Sequence, residues 1–204
     1  AQLVAPDELC FDVGANVGQT TEVLLTLGAR VVAVEPNPLC SPILEKRFQR
    51  NKRFTLVDAA VGAAPGKAKL HFMGTASTAS LREDWPFETN DSVEVAVTTL
   101  DELISRWGRP KLLKVDVEGF EVEVFKGLNQ PLPVVYFEMN ANEHDRAIQA
   151  LARLSEIGTI QRLNVTDIDH QGWLFDEWIG YDEFVAQEVE RFPRTTNVVV
   201  KMAC

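Results

Sequence analysis

The sequence predicts a single α/β domain, a mostly parallel sheet with helices on both faces. Three observations predict it. Short apolar, β-rich runs alternate with helical patterns, the rhythm of crossover units in a parallel sheet. The first such run opens into a glycine-spaced loop, "DVGANVG", which leads into a helical stretch. And 204 residues, 46% of them hydrophobic, suffice for one sizeable core and are short for two domains.

The elements follow in order. "LCFDV" (9–13) is a compact apolar strand. Residues 18–27 read as a helix with an apolar stripe at Val23, Leu24 and Leu27, closed by Gly28. "RVVAVEP" (30–36) is a buried strand stopped by Pro36, 39–51 a helix, and "FTLVDAAVG" (54–62) a third strand. The rhythm then breaks. "GKAKLHFM" (66–73) and "SVEVAVTTL" (92–100) flank a polar stretch and read as a β-hairpin insertion around 66–100. A helix over 100–108, a strand at 111–117, a helix over 118–128 and a strand at 133–140 restore the alternation. Residues 142–158 form an amphipathic helix with Ile148, Leu151, Leu154 and Ile157 on one stripe. Strands at 159–165, 172–178 and 196–202 finish the chain, and the lack of a helix between the first two predicts an antiparallel end to the sheet.

Charge and composition exclude several classes. A net charge of −10 disfavours nucleic acid or an anionic membrane as partner. The basic stretch 45–54 reads as a solvated helix end. Three dispersed cysteines, Cys10, Cys40 and Cys204, make neither a disulfide framework nor a zinc site and fit a reducing, cytoplasmic setting. No apolar run approaches the length of a membrane span, and "AQLVAPDE" has no signal-peptide character.

The loop differs from a dinucleotide fingerprint. Asn16 stands where that pattern needs its second glycine, and Gln19 replaces the third, so a ligand without a pyrophosphate fits better. Gly14 would make the sharp turn and Gly18 the close helix start. Glu35 ends the second strand, where a carboxylate accepts from both hydroxyls of a ribose. Asp58, at the third strand end, would accept from an adenine amino group beside the Ala59 backbone. Taken singly, each also suits a ligand-free turn or a solvated strand end. Together they describe a nucleoside site, with S-adenosylmethionine the fitting candidate.

With these residues in hand, the chain resembles the FkbM family of S-adenosylmethionine-dependent methyltransferases. The resemblance lies in "FDVGANVGQTT", "VVAVEPNP", "LVDAAVG", "VTTLDEL" and "KVDVEGFEVEVFKGL", in that order over residues 11–128. It implies a Rossmann-like class I methyltransferase fold: seven strands, mostly parallel, with an antiparallel last strand for which "TNVVVKM" fits. It also implies that Asp12, Gly14, Asn16 and Gly18 surround the methionine part of the cofactor, that Glu35 takes the ribose, and that Asp58 with Ala59 takes the adenine. Asp116 should lie near the methionine amino group and the reacting methyl. Family acceptors are hydroxyls of small molecules, sugars or glycolipids.

A hydroxyl acceptor must lose a proton, so a base or a metal is sought at the ends of the fourth and fifth strands. Asp116, Glu138 and His144 are the catalytic candidates, with Lys114, Glu118 and Glu143 nearby in sequence. Asp116, Glu138 and Asn140 would also suit Mg²⁺, which prefers oxygen ligands. Residues 74–84 make a lid candidate, with Ser77 and Ser80 as donors. Trp85, Trp173, Phe175, Trp178 and Tyr181 offer a stacking wall or, more simply, hairpin packing. "DIDHQG", with Asp167, Asp169 and His170, reads as a turn. The expected partner is a small-molecule or carbohydrate acceptor, and a homodimer is compatible with the chain. Two other readings compete: an NAD(P)-dependent oxidoreductase with an atypical loop, and a non-catalytic cofactor-binding protein.

Overall fold

The structure, a computed structural model, describes residues 3–72, 79–82, 91–140, 143–167, 172–186 and 195–204. Its main sheet has seven strands, in chain order β1 (Leu9–Val13), β2 (Arg30–Val34), β3 (Phe54–Val57), β8 (Leu112–Val115), β9 (Val134–Met139), β10 (Ile160–Asp167) and β11 (Thr196–Met202). Their spatial order is β10-β11-β9-β8-β1-β2-β3. Strands β3, β2, β1, β8 and β9 run parallel, and β11 lies antiparallel between β9 and β10. The antiparallel last strand is therefore inserted, as expected.

Alternation along each strand sends side chains to both faces. Phe11, Leu113, Val135 and Val200 face a large core completed by α3 (Leu100–Trp107), α4 (Glu121–Lys126) and α5 (His144–Ile157). Their strand neighbours Cys10, Leu112, Val134 and Val199 face the other side, where α1 (Gln19–Thr26) supplies Leu24. Farther along that side α2 (Ser41–Phe48) closes over Ala15 and Ala33 with Leu44 and Phe48. A capping box between Thr99 and Glu102 starts α3, where the sequence offers Thr-x-x-Glu. Among the described residues no helix is long and apolar enough to cross a membrane.

Three local expectations are corrected. The third strand breaks at Asp58: β3 stays in the main sheet, while β4 (Ala60–Val61) leaves it to pair with β7 (Asp91–Thr98). The predicted strand at 172–178 is a turn-rich segment touching β10 through isolated bridges at Thr166–Trp173 and Leu163–Ile179, followed by α6 (Tyr181–Ala186). Asn164 explains this, because its side-chain amide donates to the Phe175 carbonyl and accepts the Phe175 N–H, taking ladder positions with a side chain. On α1 the stripe is rotated. Val23 is 59% exposed, and the buried side is Thr21 and Leu24. Thr21 is drawn inward by its hydrogen bond to Asp12 at 2.6 Å.

The insertion forms a second sheet, β4-β7-β5-β6, in which β5 (Gly66–Phe72) pairs antiparallel with both β7 and β6 (Ala79–Ser80). It stands over the carboxyl ends of the main strands and walls the functional site.

Candidate functional site

The site is laid out by strand register. Val57, Val34, Val13, Val115 and Phe137 form one row across the parallel strands. One residue farther along each strand stand Asp58, Glu35, Gly14, Asp116 and Glu138. Each sits at the carboxyl edge because its strand has reached the same height. With strands about 4.8 Å apart, Glu35 and Glu138 lie three spacings, or about 14 Å, from each other.

Four of these five line one cavity of about 470 Å³, and Asp58 is outside it, exposed where the chain turns away to β4. Ala59 lines the cavity, as do Val61, Leu70, Ser80 and Leu81 from the insertion. The lid candidate thus contributes through residues 79–81; Ser77 and Trp85 lie outside the described residues, as do Asp169 and His170.

Gly14 turns the chain at φ +71°, with its N–H bonded to the Val34 carbonyl. Asn16 follows at φ +51°, a left-handed conformation that asparagine tolerates. Its side-chain oxygen accepts the Val17 N–H at 2.7 Å, which fastens the turn. The missing second glycine is therefore a residue able to hold the same backbone hand. Gly18 does not line the cavity. A Cβ there would stand 2.5 Å from Phe48 and 2.7 Å from Leu44, so this glycine lets α1 pack against α2.

Glu35 is buried and doubly clamped. Its Oε2 accepts the Asn16 N–H at 2.6 Å and its Oε1 the Asn37 N–H at 2.8 Å. Burial raises its pKa, opposed by those two N–H groups and by the Lys114 charge. Each oxygen keeps further lone pairs for a ligand donor. Asn37 and Cys40, both lining residues, were missed by the sequence reading. Asn37 works through its backbone N–H, which no side-chain pattern reveals.

Asp12 does not line the cavity. It is buried, accepting from Thr21 and standing 3.3 Å from the Lys114 ammonium. Lys114 is buried too. It donates to the Gly14 carbonyl at 2.7 Å and lies 3.4 Å from Asp116 Oδ2. Burial opposes its charge, but Asp12 and Asp116 prevail and hold its pKa above the usual lysine value. Lys114 thus ties β8 to the glycine loop and joins the carboxylates on either side.

The far end of the cavity is acidic. Burial, then Asp116, Glu118 and Glu121, pushes Glu138 up to about 8. Glu118 is pushed to about 7 by burial and by Asp116 and Glu121. Glu121, behind them, reaches about 7, chiefly by burial. Its Oε1 accepts the N–H groups of Val117 and Gly119 at 3.1 and 3.3 Å, so it braces the loop that carries Asp116 and Glu118.

The remaining candidates fall elsewhere. His144 opens α5 and does not line the cavity. Asn140 belongs to a second, much smaller hollow and accepts from Thr195 at 3.5 Å. The Mg²⁺ set of Asp116, Glu138 and Asn140 is therefore divided. Among the described residues no group of three or more His, Cys, Asp or Glu side chains could hold a metal ion, so Mg²⁺ is not supported. Phe175 and Tyr181 pack against the main core, and Trp173 meets Trp178 at a tilt, away from the cavity lining.

Comparison with known proteins agrees with this geometry. The model of the methyltransferase FkbM domain matches residues 12–172. A hexuronic acid methyltransferase, AglP of Haloferax volcanii, is 29% identical over 164 residues, covering 78% of this chain and 67% of that protein. Among solved structures, a precorrin-6y C5,15-methyltransferase from Geobacter metallireducens superposes with TM-score 0.52 at 12% identity, over 98% of this chain and 82% of that one. The Methanococcus jannaschii fibrillarin pre-rRNA processing protein gives 0.55 at 10% identity over 99% and 69%. The Aeropyrum pernix fibrillarin with natively bound S-adenosyl-L-methionine gives 0.54 at 10% identity over 98% and 68%. These last three show the fold. The family match sets aside the oxidoreductase and non-catalytic readings: the chain belongs to the FkbM methyltransferase family and is an S-adenosylmethionine-dependent methyltransferase.

Proposed function

We propose that the protein methylates a hydroxyl of a carbohydrate acceptor. The observation that carries this reading is one cavity with two unlike ends: the clamped Glu35 on one side, and Glu138, poised near neutrality, on the other. The residues present fit the cofactor. Gly14 leaves the backbone bare, Glu35 keeps lone pairs for ribose hydroxyls, and the acidic far end suits a cation. Glu35, Asn16 and Ala59 would hold the nucleoside, and Asp116 the amino group of its amino-acid tail. The bound cofactor supplies an electrophilic methyl group.

The chain's own residues orient the acceptor and move its proton. Displacement needs the hydroxyl oxygen held close and in line, and the walls of the cavity limit its orientations. Glu138 takes the hydroxyl proton as general base, and a pKa of about 8 places it where a base is effective near neutral pH. The hexuronic acid methyltransferase at 29% identity supports a sugar as the acceptor class.

The test is a panel of hexuronic acid glycosides, neutral hexose glycosides and simple alcohols, with products read by mass spectrometry before and after mild alkali. An alkali-stable methyl ether on a saccharide is the expected product. An alkali-labile methyl ester, or methylation confined to non-sugar alcohols, would overturn the reading.

The cofactor half has its own test. Glu35→Ala removes a charged acceptor from buried hydroxyls, worth about 1.5–3 kcal/mol, or roughly 10- to 150-fold in affinity. Calorimetry with S-adenosylhomocysteine should read that loss, and an unchanged Kd would remove Glu35 from the ribose role.

A further inference from the structure

In "KVDVEGFE" (114–121), Lys114, Asp116 and Glu118 line the cavity, while Gly119 has no part in the reading above. Gly119 has φ +87°, and a Cβ there would lie 2.5 Å from Arg82 Nη1 and 2.9 Å from Glu143 Oε2. The glycine is where a guanidinium crosses the loop. Arg82 comes from the insertion, two residues past β6, and is 9% exposed. Glu143 immediately precedes α5. The two side chains form an ion pair above Gly119.

Other bonds hold the same loop. Ser80 Oγ donates to the Glu118 carbonyl at 3.1 Å and accepts the Arg82 N–H at 3.3 Å. From α5, Arg146 Nε donates to the Gly119 carbonyl at 2.9 Å. These contacts are spent on an unusual backbone, since Glu118 at φ +54° and Gly119 at φ +87° are consecutive left-handed residues. A non-glycine residue keeps that conformation only where its surroundings over-determine it. An enclosed ion pair is weak evidence of stabilisation, so fixed geometry is the better explanation for this one.

We propose that Arg82 is a positioning residue for methyl transfer: by crossing Gly119 to pair with Glu143, it locks the inserted sheet onto the Asp116–Gly119 loop and fixes Asp116 and Glu118 at the cavity wall. The insertion is thereby a working wall of the site, plugged into a socket that Gly119 leaves open. This rests on the reading of the acidic end as the reacting end.

The test compares wild type with Arg82→Met, Arg82→Lys, Arg82→Glu and the exchanged pair Arg82→Glu with Glu143→Arg. Arg82→Met should lower kcat by about 20- to 100-fold, as a misplacement near 1 Å does. Its affinity for S-adenosylhomocysteine should fall through the displaced Asp116, but by less than about tenfold and by less than kcat falls, because the Glu35 clamp is untouched. Arg82→Lys should recover part of the rate, and the exchanged pair should exceed Arg82→Glu alone. Amide hydrogen exchange at residues 117–120 should quicken about tenfold in Arg82→Met. A kcat within twofold of wild type, unchanged exchange, or a loss of cofactor affinity as large as the loss of kcat would overturn the proposal. If Arg82→Met does not fold, the exchanged pair decides, and no gain over Arg82→Glu refutes it. The exchange measurement needs no acceptor. A wild-type protein that methylates no saccharide would defeat the proposed function and leave that result readable.

Discussion

Gly14→Ala is expected to abolish measurable cofactor binding and to lower the melting temperature by about 8 °C or more, the shift of a severe single substitution in a domain of this size. The added Cβ would stand 1.8 Å from the Asp116 carbonyl oxygen and 2.9 Å from its carbon. Neither side can yield. Asp116 is held by its N–H to the Val13 carbonyl at 3.1 Å, and the loop by the Gly14 and Ala15 N–H groups on the Val34 carbonyl. The backbone angle of +71° adds strain for any side chain. Moving the loop would carry Asn16 N–H off Glu35 and Lys114 off the Gly14 carbonyl, so both ends of the cavity lose their alignment. Gly66→Ala is the control, since a Cβ there meets nothing within 4 Å. Calorimetry and thermal melts on the two variants decide the matter: Gly14→Ala binding S-adenosylhomocysteine like wild type would refute the loop's role.

Glu138→Gln is the second large effect, a fall in kcat of about 100-fold or more with cofactor affinity nearly kept, the range for losing a general base. The wild-type rate should rise with pH through about 8 as the carboxylate forms, and the variant should lose that limb. Stability should move the other way. Glu118, Glu121 and Glu138 all have folded pKa values of about 7 to 8, above the ordinary glutamate value. Between that ordinary value and about 8, the native chain binds more protons than the unfolded one. Stability therefore falls as pH rises through this window. The melting temperature should be higher at pH 5.5 than at pH 8.5, and Glu138→Gln should flatten the slope. A slope that survives the substitution unchanged would place the titration elsewhere.

These effects share an origin in register. The motifs are short because each needs only the residue one step past the level where β1, β2 and β8 end, a level that Glu138 shares although β9 continues to Met139. That is why Glu35, Gly14, Asp116 and Glu138 were legible one motif at a time. Asp58 shows the limit. It occupies the right step past β3, but the chain there leaves the main sheet to pair with β7, a partner distant in sequence, and the carboxylate goes to solvent. His144 fails for a related reason. A helix start after a strand places a side chain near the edge, and its direction depends on how α5 packs against α4. Arg82 carried no signal, because it acts from an insertion against a loop far along the chain.

By itself the sequence determined the order of elements, the inserted last strand, the family and four positions at the strand edge. The order of elements and the strand-edge positions follow from local alternation, punctuation by glycine and proline, and residues near a strand end; the family and the inserted last strand follow from the resemblance of the motifs between residues 11 and 128. Only the tertiary structure decided which groups share a cavity. It showed that Asp12 and Lys114 brace the loop from beneath, and that Gly18 serves helix packing. It also brought Arg82 of the insertion across Gly119 to Glu143, and Ser80 to the Glu118 carbonyl. Those assignments depend on contacts between segments tens of residues apart, and on burial, which sets the protonation of Glu118, Glu121 and Glu138.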